Sequence, residues 1–377
     1  MALNNSVYGQ VGTPRVYMDV VQYAKAIGYV QGYALDGEQV GDPAACWDFN
    51  PSNMQRYGVH ADSEEIDDKR FLVLFKNHPD KKNRQFAHLM SNVNYYGALG
   101  HKFEMPGVDR MSATMAGYDT DGTWYGDSTD FSSQDQNEIV GDPNDRIKDL
   151  GFTLHSIDKQ FEVANDSLSS LQIRLNKTDH WQPEILSFID IGSFTIGRYL
   201  DFPNSPDLSV KLNFDYSGGI NTKRTVGGSD ITNIVYHKPP DWGSLPAWQH
   251  VDTAPHLDAT VWAVEEDYRA VSRGGRRSWQ IKFSYVDKED MFPKYFDGNI
   301  SGEYSKPYIN QPGTFDVKDN ILNTFFGLSL GGSLKFIFQP DKTRKDFCFC
   351  LLDKNSVSIN QVAHGVYDVS LTFVETW

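Results

Sequence analysis

Leu208-Ser209-Val210-Lys211-Leu212-Asn213-Phe214-Asp215 sets an apolar side chain at every second position and a polar one between. Successive side chains of a β-strand point to opposite faces, so a period of two predicts a strand with one buried and one wet face. The pattern returns at Trp279, Ile281, Phe283 and Tyr285, at Phe336 and Phe338, and at Tyr367, Val369, Leu371 and Phe373. Residues 151–377 therefore read as an antiparallel β domain, with two packed sheets or one barrel as the economical way to bury the apolar faces. The expected fold class is mainly β, a sandwich or barrel with a few short helices and long loops.

Working outward, Phe71-Leu72-Val73-Leu74-Phe75 is short and continuously apolar, which fits a strand buried on both faces. Thr13 before Pro14 reads as a helix N-cap with proline at the first helical position. Val16, Val20, Tyr23, Ala24 and Ile27 then share one helical face, and Gly28 ends it. A second helix is expected over Val317 to Phe326. Residues 117–149 turn to Asp, Ser, Gly, Asn and Gln, a composition that buries too little apolar area to order alone and suggests a loop, arm or linker. Lys238-Pro239-Pro240-Asp241-Trp242-Gly243 is an extended connection, since its two prolines cannot donate to a ladder. The division expected is a mixed N-terminal region at 1–116, a polar connector at 117–150 and a β domain at 151–377. No repeat that would mark a propeller or solenoid is present.

The 35 Lys and Arg stand against 50 Asp and Glu, a formal charge of −15 that repels a phosphate backbone, so sequence-specific nucleic-acid binding is not expected. Aromatics make up 13% of the residues, a share that suits strands. Residues 1–10 show no basic-then-apolar leader, and no run approaches the length of a membrane span, so a soluble chain without membrane insertion is expected. Cys46, Cys348 and Cys350 are too few and too irregularly spaced for a disulfide framework or a closed zinc site, which suggests free thiols in a reducing compartment.

Several motifs touch on chemistry. Gly327-Leu328-Ser329-Leu330-Gly331 has the spacing of a nucleophile elbow, but that device runs from strand to helix, and here a helix precedes and a strand follows. A glycine-rich helix-to-strand turn is the expected reading. Asp119, Asp121, Asp127 and Asp130 could gather around a calcium ion, yet Gly122 follows Asp121 directly and no closing glutamate is present, which favours a solvated acidic loop. The ten histidines form no metal motif. No catalytic residue, metal or cofactor is assigned. Trp242, Trp248 and Trp262 are candidates for stacking on sugar rings, although β cores and interfaces use aromatics in the same way. Arg273-Gly274-Gly275-Arg276-Arg277 is the one dense basic cluster, read either as a contact for an acidic partner subunit through Arg273, Arg276 and Arg277 or as a solvated turn guarding an edge strand.

An ordered set of segments carries a resemblance. It runs from Thr13-Pro14-Arg15 and Cys46-Trp47-Asp48-Phe49-Asn50 through Ser205-Pro206-Asp207-Leu208, Gly227-Gly228-Ser229, Tyr236 and Lys238 to Trp242. It continues with Gly275 to Tyr285, Leu330 to Asp341 and Gln361 to Leu371, and ends with Glu375 and Trp377. In this order the chain resembles a family of tail structural proteins of tailed bacteriophages, of the distal tail or baseplate kind found in marine phages. Lys335 stands where that family often has proline, and the stretch after Asp341 is shorter and more basic than the family's loop.

The resemblance implies a non-enzymatic virion protein, made in the host cytoplasm and placed in the viral tail. There it would form a homo-oligomeric ring, commonly a hexamer, at the tail tip or baseplate between the tail tube and the host-adhesion apparatus. Its partners would be copies of itself and other tail and baseplate proteins. A ring is a closed heterologous association, and strand edges with aromatic surfaces supply such contacts. The alternatives are a host-glycan-binding module of the same tail and, further off, a glycan depolymerase. The latter needs two convergent carboxylates in a cleft.

Overall fold

The computed structural model describes residues 12–35, 41–51, 53, 55–59, 68–76, 93–103, 108–118, 124–125, 138–140, 150–157, 168–177, 187–208, 210–215, 220–234, 276–292, 320–343, 347–353 and 357–376. In chain order the strands begin β1 (Arg15–Asp19), β2 (Val30–Leu35), β3 (Gln55–Val59), β4 (Asp68–Phe75), β5 (Tyr95–Phe103), β6 (Val108–Tyr118) and β7 (Trp124–Tyr125). There follow β8 (Glu138–Val140), β9 (Leu150–Ser156), β10 (Leu168–Lys177), β11 (Ser187–Asp201), β12 (Lys211–Asp215), β13 (Ile220–Arg224) and β14 (Asp230–Ile234). Then come β15 (Arg276–Asp287), β16 (Phe336–Gln339), β17 (Cys348–Leu352), β18 (Ser358–Ala363) and β19 (Val366–Glu375). The helical pieces are short: α1 (Val20–Ala26), a 3₁₀ turn at Ala45–Trp47, α2 (Lys288–Met291) and a π-helical turn at Ile321–Phe326.

A twelve-stranded antiparallel sheet runs β12-β15-β19-β17-β16-β1-β11-β5-β9-β8, with β18 added to β19 and β3 to β11. A five-stranded sheet runs β2-β4-β10-β6-β7, and β13 and β14 make a separate hairpin. The fold is mainly β and sandwich-like, and among the described residues no closed barrel forms. The smaller sheet meets the larger through Phe71 of β4, whose ring lies 4.8 Å from that of Phe194 on β11 and 5.2 Å from that of Tyr57 on β3. The Phe71–Phe75 run is the expected strand: Phe71, Val73 and Phe75 are buried, and Leu72 and Leu74 half-buried.

The middle of the large sheet is buried on both faces. Register places Tyr199, Tyr17, Ile337 and Phe349 in one row across β11, β1, β16 and β17, and these join a core with Phe49, Tyr95, Leu99, Leu154 and Phe347. The neighbouring row, Leu200, Val16, Phe338 and Cys348, faces the larger core on the other side. Because β1 lies between β11 and β16, segments from 1–116 and 151–377 share one sheet, and the boundaries expected at 116 and 150 do not separate two sheets. Of the polar connector, β7 and β8 are described strands, and the remainder of 119–149 lies outside the described residues.

Four expectations need correction. The helix anticipated from Thr13 begins at Val20, because Arg15–Asp19 is a central strand with ladders on both sides. Asp19 is the cap, its side chain accepting from Gln22 N at 2.6 Å, and Ile27 is exposed. Gly28, at φ +76°, ends the helix as expected, with its N–H on Lys25 O and that of Tyr29 on Ala24 O. Leu208 is fully exposed ahead of β12, which starts at Lys211 as the end strand of the sheet path, so only Val210 and Leu212 pack against the core. Tyr285 is turned outward by a β-bulge. The second helix is the π-turn, capped by the Asn320 side chain, which accepts from Asn323 N at 2.7 Å; residues 317–319 lie outside the described residues.

Candidate functional site

The basic cluster divides at the start of β15. Arg276 is exposed and sits opposite Asp215 of β12. Strand alternation turns Arg277 inward, and its side chain is fully buried within the chain itself. Its Nε and one terminal nitrogen donate to Glu375 Oε2 and Oε1 at 3.0 and 2.8 Å, and a further bond goes to the Phe347 carbonyl at 3.0 Å. The guanidinium lies 4.8 Å from the centre of the Trp279 ring. Arg273, Trp242, Trp248 and Trp262 lie outside the described residues, as do Asp119, Asp121, Asp127 and Asp130.

A second ionic group lies at the start of β1. Arg15 donates from Nε and a terminal nitrogen to the Asp201 carboxylate at 2.5 and 3.0 Å, and Lys342 Nζ approaches the same carboxylate at 3.2 Å. Partial burial works to raise the Asp201 carboxyl, but the bond and charge of Arg15, then those of Lys342, outweigh it and hold it below the usual carboxylate range. Beside it opens a groove of about 430 Å³, lined by Asn94, Tyr199, Leu200, Asp201, Pro203, Asp290 and Ile321. Asp201 is committed to its two cations there.

A third group surrounds the bulge in β15. Between Phe283 and Val286 the ladder to β19 slips register, and Tyr285 takes φ +60°. Ser284 Oγ donates to Asp207 Oδ2 at 2.7 Å, and Asp207 N donates to the Lys282 carbonyl at 2.8 Å. Lys282 Nζ lies 2.9 Å from Asp368 Oδ2 and 3.8 Å from Asp207 Oδ2, while Tyr285 N donates to Asp368 Oδ1 at 3.3 Å. The Lys282 bond is the main reason that the Asp368 carboxyl is held down and the Lys282 ammonium held up.

The cysteines are all buried thiols outside any disulfide, with Cys348 Sγ and Cys350 Sγ 3.3 Å apart and burial raising the Cys348 thiol well above its ordinary value. Ser329 of the elbow-like motif is buried in a helix-to-strand turn, where its Oγ accepts from Gly332 N at 3.0 Å. Among the described residues no cluster of His, Cys, Asp or Glu has a metal-binding arrangement, and no helix is long and apolar enough to cross a membrane.

Sequence reasoning missed Glu375 as the partner of Arg277, Asp19 as a helix cap and the bulge at Tyr285. Signals existed for two of them: Asp19 stands directly before an apolar pair, and the Tyr285-Val286 doublet breaks a strict alternation. No family model, curated protein or solved structure matches the chain.

Proposed function

We propose that the chain is a structural component of a bacteriophage tail, forming part of an oligomeric ring at the tail tip or baseplate that joins the tail tube to the adhesion apparatus. The observation that carries this reading is the order of the segments resembling tail structural proteins. Three of them, Gly275 to Tyr285, Leu330 to Asp341 and Gln361 to Leu371, supply β15, β16 and the β18–β19 hairpin of a single sheet. Sheet geometry lends support, because among the described residues β12 and β8 end the strand path, and terminal strands offer backbone donors and acceptors to a neighbouring copy. The reading assigns structure, not catalysis, to the chain.

Light scattering on the purified protein, with negative-stain images of the same sample, tests it. Rings of several copies, about six, are the expected result. A strict monomer across all concentrations would count against self-assembly into a ring.

A further inference from the structure

On β15 the side chains of Trp279, Ile281 and Phe283 alternate into the core, and unbroken alternation would bury Tyr285 next. Val286 takes the buried position instead, and Tyr285 is turned out with 74% of its surface exposed. Its φ of +60° is one that bulky side chains avoid. The fold thus gives up burial of an aromatic ring and accepts local backbone strain at one residue, a combination that concentrates at binding sites.

The groups around the ring are held by one another. Asp207, Ser284, Lys282 and Asp368 form a connected set through the bonds described above, and Asp368 also holds the Tyr285 backbone N–H. An exposed aromatic face, two carboxylates and an ammonium therefore share one pre-organised patch.

We propose that this patch binds a saccharide, with one pyranose ring stacked on Tyr285 and its hydroxyls hydrogen-bonded by Asp207, Lys282 and Asp368. A pyranose presents an apolar C–H face and a rim of hydroxyls that both donate and accept, which matches an aromatic ring bordered by fixed carboxylates and an ammonium. A protein partner would have to desolvate Lys282, Asp207 and Asp368 together, and interface cores are depleted of such charges. A sugar leaves them partly wet. The assignment uses none of Trp242, Trp248 and Trp262, and it does not rest on the ring reading.

Saturation-transfer NMR on the full chain, with methyl glycosides of glucose, galactose, mannose and N-acetylglucosamine and their short oligomers as probes, tests the assignment. At least one probe is expected to bind, with Tyr285→Phe retaining the signal and Asp207→Asn weakening it. Tyr285→Gly should weaken binding by about tenfold or more. Its melting temperature should be unchanged or raised, because glycine accepts φ +60° without strain. That variant separates loss of the ring from loss of the fold. Binding by none of the probes, or binding that survives Tyr285→Gly, overturns the proposal. So does a drop in solution mass shared by Tyr285→Gly and Leu208→Ser without any sugar signal, which would assign the patch to a protein contact.

Discussion

Glu375 stands one step beyond the Ser278–Val374 pair of the β15–β19 ladder and holds Arg277 three times, accepting from its backbone N at 2.8 Å and from its guanidinium at 3.0 and 2.8 Å. Both side chains are essentially dry. Desolvation offsets much of the attraction in such a pair, but removing one partner strands the other charge in the core.

Glu375→Gln or Arg277→Met alone should therefore lower unfolding free energy by about 3–5 kcal/mol. The double variant Arg277→Met, Glu375→Leu should recover most of that loss, since apolar groups of similar volume leave no buried charge. Urea denaturation of the two single variants and the double one measures the coupling directly. Single variants costing less than about 1 kcal/mol would show that the pair is solvated, as surface pairs are.

Asp19 gives stability a particular pH dependence. Burial raises its carboxyl from 3.8 to about 6 despite bonds from Gln22 N, Thr195 Oγ1 and Ile196 N. Between those values the folded chain binds more protons than the unfolded one. The contribution of Asp19 to stability is therefore greatest below pH 3.8, falls as pH rises through about 6 and is level above. The span is on the order of 3 kcal/mol. It is measured as the difference in unfolding free energy between the native protein and Asp19→Asn across that interval. A difference that stays constant with pH would refute the shift.

The fold was legible where burial follows a simple period. Trp279, Ile281 and Phe283, and again Val369, Leu371 and Phe373, are buried as their alternation requires. Legibility ends where tertiary pairing overrides a local pattern. Arg15–Asp19 fits a helical face as well as a strand, and its strand identity comes from β11 and β16, which lie far away in sequence. Arg277 looked like surface because Arg273-Gly274-Gly275-Arg276-Arg277 is polar throughout, while its partner Glu375 is 98 residues distant. At Tyr285 the composition suits either face, and only the register against β19 decides between them.

Gly197 of β11 stands opposite Asp19 of β1 in the ladder. A Cβ there would collide with the Met18 carbonyl, a backbone atom in a ladder that cannot move without parting the strands. Gly197→Ala should thus act as a backbone wedge in the centre of the large sheet. The expected loss is about 1–3 kcal/mol or more, read from thermal unfolding. A neutral result would mean that β1 sits farther from β11 than the pairing places it.

Ser329 separates two readings of Gly327-Leu328-Ser329-Leu330-Gly331. A nucleophile elbow exposes its serine on a turn leading from strand to helix, whereas Ser329 is buried on a turn leading from the π-helical segment into β16. Its Oγ accepts from Gly332 N, and its backbone carbonyl accepts from Leu334 N at 2.9 Å. Leu330, Gly331 and Gly332 all have positive φ, so the side-chain bond closes a turn whose backbone is already strained at Leu330. Ser329→Ala leaves the Gly332 N–H without that acceptor and should cost about 1–3 kcal/mol of stability. It should change no hydrolysis of p-nitrophenyl acetate. Ester turnover by the native protein that disappears in Ser329→Ala would reverse the assignment and make this turn a catalytic one.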